Sequence, residues 1–302
     1  MTPKRIPPKS VVWTGIIILL TVTNWAHALT TCSVSSPGFA SGYVPLNLTT
    51  SITPTTFDVT CSRDNAGGPA FVTVQYDLSV NNGIHVLGTQ NRAALAGSFL
   101  DYHLATDPAC AIPWSGATVI PTPSASFPLA KNSVVTNTHT FYGCVLPGQL
   151  VLPPEGSYTD TVTMVFSLGK ATGQSAFTGG AFPVTIVAPA SCNITAPPAN
   201  VTFTYTAFSP AAVLASSTIG VRCTTFLAYT LALDATIDVL TGLNYSLALN
   251  NISNGGVNPL SSVGNGGPQT FFINGTMAAG QAGTCASSVC SGIQTRTLTI
   301  TY

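Results

Sequence analysis

The sequence closes on Thr-Arg-Thr-Leu-Thr-Ile-Thr-Tyr, residues 295–302. Leu298, Ile300 and Tyr302 share one face of an extended chain and threonines occupy the other, which is typical of a half-buried β-strand. An apolar-faced strand needs partners for its backbone groups and a cover for its apolar face. We therefore expect this terminal strand to line a groove that another protein fills.

The composition favours an all-β protein. Only 6% of the 302 residues are charged, hydrophobic residues make up 45%, and the formal net charge is zero. Threonine, valine, serine and glycine are frequent whereas lysine and glutamate are scarce, so helices should be rare. The length suits one or two sandwich-sized domains. The sequence has no basic patch, so nucleic acid is not expected as a partner.

The amino end has the pattern of a signal peptide. Three cations precede an apolar run at residues 11–22, and Ala-His-Ala at 26–28 has the small-x-small form of a cleavage site. We expect residues 1–28 to be removed after Ala28, leaving an exported protein with six basic and nine acidic residues. The alternative is a retained anchor, but the apolar run is shorter than the ~20 residues that a spanning helix needs.

Eight cysteines follow the expected cleavage site. An even number of cysteines in an exported, strand-rich chain indicates disulfides. A zinc site would need Cys-x2-Cys knuckles or histidines at fixed spacing, and the sequence has neither. Eight cysteines allow 105 pairings, and their layout favours pairing between neighbours. The expected bridges are Cys32–Cys61, Cys110–Cys144, Cys192–Cys223 and Cys285–Cys290.

An internal repeat is visible around two of these pairs. Cys32 and Cys61 are 29 residues apart, Cys192 and Cys223 are 31 apart, and alternating segments follow at 71–80 and 228–233. The repeat predicts two homologous β domains, an N-terminal one at 29–188 and a C-terminal one at 189–302.

The two repeats differ at their ends. Residues 156–168 correspond to the terminal strand, and the chain then continues into 181–187, where Phe182, Val184 and Ile186 alternate. The first domain can therefore complete itself with 181–187, while the second lacks its last strand. Leu298, Ile300 and Tyr302 would line the acceptor groove that this leaves.

The first repeat resembles the spore coat protein U domain, the pilin module of archaic chaperone-usher pili. The matching landmarks are Cys32, Phe39, Tyr43, Pro45, Cys61, Ser62, Tyr76, Leu78, Ser79, Arg92, Tyr102, Leu104, Thr106, Asp107, Trp114, Tyr142, Gly143, Gly148, Gln149 and Gly-Ser-Tyr-Thr-Asp-Thr-Val-Thr at 156–163. The second repeat matches more loosely. The resemblance implies two immunoglobulin-like, pilin-type β-sandwiches in tandem, the C-terminal one lacking its last strand.

The resemblance also implies partners. Pilins of this family receive their last strand from the next subunit, or beforehand from a chaperone, by β-augmentation. The expected partners are a periplasmic pilus chaperone, an outer-membrane usher and an adjacent pilin that donates a strand. Because few residues precede Cys32 after cleavage, the chain should accept a strand but not donate one. That predicts a tip subunit, exported to the periplasm and then to the cell surface.

Apolar, proline-rich segments of the first domain are candidate adhesive loops. Apolar and polar residues do not alternate in these segments, which predicts loops rather than strands. Exposed apolar loops mark contact surfaces. Trp114 is expected in the core instead. The candidates for contact with a hydrophobic or abiotic surface, as in biofilm formation, are Ile112, Val119, Ile120, Val145, Leu146, Leu150, Val151 and Leu152.

Catalysis is not expected. The histidines lie outside metalloprotease and nucleophile-elbow motifs, and no cofactor or metal is expected. A non-adhesive coat or fibre protein and an exported carbohydrate-binding sandwich protein are the alternatives to an adhesin. No role is assigned to the N-x-S/T sites at Asn47, Asn193, Asn200, Asn244, Asn251 and Asn274.

Overall fold

The computed structural model describes residues 29–35, 38–45, 48–149, 152–166, 174–178 and 180–302. The expected signal peptide, residues 1–28, lies outside these residues. The described residues form β-strands, turns and irregular segments. They include no helix, and hence none long and apolar enough to cross a membrane. The all-β prediction is confirmed.

Strands β1–β12 lie in what we call the N-terminal part, residues 29–188. They are β1 Thr30–Val34, β2 Phe39–Gly42, β3 Ser51–Arg63, β4 Phe71–Val80, β5 Val86–Leu87, β6 Gln90–Leu95, β7 Ser98–Ala105, β8 Ile120–Ala130, β9 Ser133–Val145, β10 Gly156–Phe166, β11 Gln174–Thr178 and β12 Ala181–Ala188.

Strands β13–β20 lie in the C-terminal part, residues 189–302. They are β13 Cys192–Ala196, β14 Val213–Cys223, β15 Ala228–Leu233, β16 Ile237–Leu240, β17 Leu243–Asn250, β18 Leu260–Val263, β19 Pro268–Met277 and β20 Leu298–Thr301. The terminal strand is shorter than the expected 295–302, because residues 295–297 precede the first residue paired with β15.

The strand order of the N-terminal part recurs in the C-terminal part. The antiparallel ladder β1-β3-β9-β7-β6 corresponds to β13-β14-β19-β17-β16, and the ladder β8-β4-β10 corresponds to β18-β15-β20. No strand pair among the described residues joins one part to the other. This recurrence supports the predicted repeat, while the division into two immunoglobulin-like domains stays a prediction.

The four disulfides are the expected neighbouring pairs. Cys32–Cys61 links residues directly opposite each other on β1 and β3, with a Cα–Cα distance of 4.0 Å. Cys192–Cys223 does the same on β13 and β14, at 4.1 Å. The other bridges are Cys110–Cys144 and Cys285–Cys290. The shared position of the first two is a second sign of the repeat.

Each part has its own apolar core. The N-terminal core contains an aromatic cluster in which Trp114 stacks on Phe57 at 5.6 Å between ring centroids and contacts Phe141 at 5.2 Å. The Trp114 indole N–H donates to the carbonyl of Leu78 at 2.9 Å, so its polar group is satisfied. Trp114 therefore lies in the core, as expected from the sequence.

A glycine lets an aromatic ring approach the central strand of each part. A Cβ on Gly143 of β9 would lie 1.9 Å from the Phe39 ring, and a Cβ on Gly275 of β19 would lie 2.4 Å from the Phe203 ring. Gly143 and Gly275 occupy equivalent strands, so Phe203 is the counterpart of Phe39. The extended segment around Phe203 thus corresponds to β2.

Replacement of Gly143 by alanine should destabilise the protein. The new methyl group would overlap the buried Phe39 ring, and overpacking of this kind costs about 1–3 kcal/mol. Urea unfolding of the oxidised protein measures the free energy of unfolding. Gly42→Ala is the matched control, since a Cβ there meets nothing within 4 Å. Equal stability of the two variants would contradict the close approach.

Candidate functional site

The last strand, β20, is at an edge of its sheet. It pairs antiparallel with β15, in the register Leu231 opposite Ile300 and Leu233 opposite Leu298. Its other edge pairs with no strand among residues 180–302, all of which the structure describes. The backbone groups along this edge are therefore open to an added strand.

The N-terminal part shows what occupies the equivalent position. There β12 lies between β10 and β2, antiparallel to β10 and parallel to β2. The side chains of Phe182, Val184 and Ile186 on β12 are buried in the core. β12 pairs with residues 156–163 of β10, whereas residues 164–166 pair with β4 as β20 pairs with β15. The place of β12 therefore corresponds to a position beside residues 290–297, which lead into β20.

A second wall of this position is the extended segment 201–205. Val201, Phe203 and Tyr205 alternate with exposed threonines and pack, half-buried, against the C-terminal core. The Tyr205 hydroxyl accepts a hydrogen bond from the Gln281 N–H at 2.8 Å, which fixes the segment. This segment corresponds to β2, so the acceptor groove is defined here as the space between 201–205 and the final stretch 290–300.

The predicted groove residues differ in exposure. Leu298 and Ile300 are half-buried and pack against the C-terminal core. Tyr302 lies beyond the strand and is 58% exposed. The expectation that Tyr302 lines the core side is therefore wrong for this structure, because its residue makes no ladder pair with β15 that would hold the ring inward.

Three of the expected adhesive residues are buried. Ile120 begins strand β8 and lies in the N-terminal core, as does Val145 at the end of β9. Leu152 is 1% exposed. The expectation that these three present apolar atoms to a surface is wrong. Prolines are compatible with β8 because it is an edge strand that pairs only with β4 among the described residues.

Leu152 lies where the two parts of the chain meet. Its carbonyl accepts hydrogen bonds from the Thr225 N–H at 3.3 Å and the Thr225 hydroxyl at 2.5 Å. Its own N–H donates to the carbonyl of Gly266 at 3.3 Å. The connection between β9 and β10 is thus a contact between the two parts, at the end of the N-terminal part that faces the C-terminal part.

The remaining adhesive candidates vary in position. Ile112 is 52% exposed, and Val119 and Leu146 are half-buried. Leu150 and Val151 lie outside the described residues. The structure does not gather the eight candidates into one apolar surface among the residues it describes.

The loop that carries Ile112 is ordered by a carboxylate. Asp107 accepts hydrogen bonds from the N–H groups of Ile112, Ala111 and Ala109 at 2.6–3.1 Å, and these bonds hold its pKa below the usual range. Cys110 in the same loop is bridged to Cys144. His103 lies beside both sulfurs, but a disulfide leaves no thiolate there for a metal.

Four exposed apolar residues that sequence reasoning missed lie on β5 and its neighbours, with Val86 and Leu87 facing opposite sides of β5. Ile84, Val86, Leu87 and Phe99 are each 40–65% exposed. The Arg92 guanidinium lies over the Phe99 ring, 4.2 Å from its centroid, and so supports one side of the patch. We call these four apolar residues the β5 patch. The sequence signal was weak, because residues 84–87 neither alternate nor contain a proline-rich run.

A buried carboxylate holds the β5 patch in place. Asp160 accepts hydrogen bonds from the N–H groups of Ile84 at 2.9 Å and His85 at 3.2 Å, and from the Tyr102 hydroxyl at 2.7 Å. Burial, followed by the bond to Asp160, raises the pKa of Tyr102. Gly83 has φ +79°, and a Cβ there would lie 1.9 Å from an Asp160 oxygen. The loop is therefore rigid despite its exposure.

One family model matches most of the chain. The sequence profile of the Spore Coat Protein U domain matches residues 17–165 and 178–259. This chain belongs to the Spore Coat Protein U domain family. The match extends into both parts of the chain.

Solved structures give further comparisons for this family member. The chain is similar to the chaperone–tip adhesion subunit pre-assembly complex of the archaic chaperone-usher Csu pili of Acinetobacter baumannii, at 12% identity and a TM-score of 0.41, over 89% of this chain and 99% of that chain. It is also similar to the CupB6 tip adhesin of Pseudomonas aeruginosa, at 14% identity and a TM-score of 0.34, over 91% and 95%. A search of curated proteins found no match.

The position of Leu152 gives a direct test of its assignment. Leu152→Ala should lower the free energy of unfolding by about 2–4 kcal/mol, because it empties a buried site between the two parts. Ile112→Ala, at an exposed site, should change it by less than about 0.5 kcal/mol. Urea denaturation of both variants makes the comparison. If the two variants are equally stable, Leu152 is not buried between the two parts, and it remains a candidate for surface contact.

Proposed function

We propose that this chain is an exported, non-enzymatic subunit of a chaperone-usher pilus, and that it takes up a β-strand from another protein in the acceptor groove. The observation that carries the proposal is that, among residues 180–302, no strand pairs with residues 290–297, at the position that β12 fills in the N-terminal part. Family membership and the resemblance to pilin modules support it.

The partners follow from the groove. A periplasmic chaperone would supply the strand first, and at the outer-membrane usher an adjacent pilin would replace it with its own extension, adding backbone hydrogen bonds and apolar side chains. The N-terminal part needs no such donor, because β12 already pairs with β10 and β2. It would therefore extend from the fibre as the tip.

A peptide copied from β12 tests the groove. The peptide Ala-Phe-Pro-Val-Thr-Ile-Val-Ala, residues 181–188, carries the side chains that fill the equivalent position. We expect it to bind the purified chain, as measured by calorimetry, and to raise its thermal stability by mass action. Ile300→Asp should weaken binding at least about tenfold, because it places a charge against the apolar side of the inserted strand.

Val263→Asp is the control for this experiment. Val263 is exposed on β18, the opposite edge strand of the same sheet, so its replacement should leave peptide affinity unchanged. A peptide with aspartate in place of Val184 and Ile186 should not bind. If calorimetry detects no binding of the β12 peptide and the peptide does not change the thermal stability of the chain, strand uptake is not the function of this chain.

Adhesion is the second element of the proposal. The residues of the β5 patch are exposed and apolar, and Asp160 holds the loop that carries Ile84. Exposed apolar side chains that lie close together mark contact surfaces on soluble proteins. We assign contact with hydrophobic or abiotic surfaces to this patch, with Ile112 as a further exposed apolar residue. The buried residues among the sequence candidates have no part in it.

Attachment to polystyrene tests the β5 patch. The double variant Ile84→Ser with Leu87→Ser should reduce attachment of the purified protein at least about tenfold, because two exposed apolar side chains are lost. Leu214→Ser, at a 67% exposed leucine on β14 in the C-terminal part, is the control. If the double variant attaches like the control while both still bind the β12 peptide, a non-adhesive fibre subunit is the better description.

A further inference from the structure

We infer that the acceptor groove selects a strand that carries a neutral amide side chain beside Arg296, at the position where β12 carries Phe182. The inference rests on the proposed strand uptake and specifies the chemistry of the strand that is taken up. It follows from the residues that border β12 in the N-terminal part and from their counterparts in the final stretch 290–300.

Tyr245 of β17 is the counterpart of Tyr102 of β7. Each tyrosine pairs with the residue two positions after the glycine that lets an aromatic ring approach the central strand, Gly143 in β9 and Gly275 in β19. The two tyrosines therefore lie at the same place in the two ladders, and the residues that they contact can be compared directly.

The hydroxyl groups of these tyrosines bind equivalent residues. The Tyr102 hydroxyl donates to a carboxylate oxygen of Asp160 at 2.7 Å, and the Tyr245 hydroxyl donates to the side-chain carbonyl of Gln294 at 2.8 Å. Gln294 is therefore the counterpart of Asp160. The strand register agrees, because Gln294 lies four residues before the first residue paired with β15, and Asp160 lies four residues before the first residue of β10 paired with β4.

Arg296 therefore takes the place of Val162. Val162 lies opposite Phe182 of β12 in an antiparallel pair, and both side chains are buried. Side chains directly opposite each other in such a pair lie on one face, with their Cβ atoms about 4.5–5.5 Å apart. An incoming strand that runs as β12 does would place one side chain next to Arg296. That side chain would be covered as Phe182 is, at 1% exposure.

One nitrogen of the Arg296 guanidinium makes no hydrogen bond with any residue that the structure describes. Nη2 donates to Asp238 and, at 2.8 Å, to the Tyr245 hydroxyl, which also accepts from Nε at 3.1 Å. Nη1 is the nitrogen that is left over. The Arg296 side chain is 17% exposed, so water can reach it while no strand is added. An apolar side chain over Nη1 would leave its N–H groups without a partner, which costs affinity.

The charge of Arg296 is already balanced by Asp238. Asp238 lies opposite Tyr245 on β16, where the N-terminal part has the uncharged Asn91. The Val239 N–H, and then Arg296, hold the pKa of Asp238 below its usual range, so the pair is ionised at neutral pH. A carboxylate on the incoming strand would add an unbalanced negative charge to a covered site. An amide carbonyl accepts from Nη1 without adding charge, so asparagine or glutamine fits this position.

Variants of the β12 peptide, residues 181–188, test the inference. Calorimetry measures the affinity of the purified chain for the unchanged peptide and for peptides carrying Phe182→Gln, Phe182→Met or Phe182→Glu. Glutamine and methionine are both unbranched and similar in length, so they differ here in the capacity to accept a hydrogen bond from a guanidinium. We expect the Phe182→Gln peptide to bind at least about tenfold more tightly than the Phe182→Met and Phe182→Glu peptides.

A chain with the residues of the N-terminal part is the matched control. Asp238→Asn with Arg296→Val installs the side chains that the N-terminal part has at the two equivalent positions. This double variant should still bind the β12 peptide but should lose the preference for Phe182→Gln over Phe182→Met. Thermal unfolding checks that it is folded, and the comparison of peptides on the unchanged chain stands without it.

The outcomes separate this inference from strand uptake itself. If the unchanged chain binds the β12 peptide but does not prefer Phe182→Gln to Phe182→Met, or prefers Phe182→Glu, the inference is overturned while strand uptake stands. A folded double variant that keeps the preference overturns it as well. If the unchanged chain binds none of the four peptides, strand uptake is refuted, and the inference with it.

Discussion

The pairing of backbone groups at the last position of each sheet is the constraint on which the architecture depends. A buried strand cannot leave its N–H and C=O groups without partners, and the two parts of the chain meet this need differently. In the N-terminal part β12 supplies the partners from within the chain. In the C-terminal part, which the structure describes throughout, no strand pairs with residues 290–297 at the equivalent position. The neighbouring apolar side chains of 201–205 and β20 are only half-buried.

Under the proposed strand uptake, this difference links folding to assembly. The N-terminal core includes the inward side chains of its own completing strand, so its stability is a property of the chain alone. The C-terminal core would gain equivalent side chains from a partner, so its stability would rise with the concentration of that partner. An open, apolar strand edge is also a template for wrong pairing, which explains why early protection of this edge would be useful.

The alternation of apolar and polar residues along the chain predicted the strands well. The segments 71–80 and 228–233 form β4 and β15 with the expected bounds, because a period of two reports one buried face directly. Apolar segments without alternation were misjudged. Leu152 and Ile120 follow proline-rich patterns that suit a loop, and only the three-dimensional neighbours, Thr225 and the strand β4, decide that they are buried.

The β5 patch could not have been found in the same way. Its members come from a short hairpin and from β7, and their grouping depends on Asp160, which is about 75 residues away in sequence from the loop it holds. A lone aspartate within a threonine-rich strand gives no sign of such a contact. The terminal strand was easier to foresee, because its alternating residues and the repeat both indicate it; that it lines an acceptor groove stays a prediction.

The bridge between Cys192 and Cys223 has a further consequence. Both ends of the stretch that contains residues 201–205 are joined by it, so this wall of the groove belongs to a closed covalent ring. Ring closure removes many of the conformations that an unpaired segment could otherwise adopt. Under the proposed strand uptake, the bridge would therefore give the incoming strand a shaped receptor in place of a loose segment.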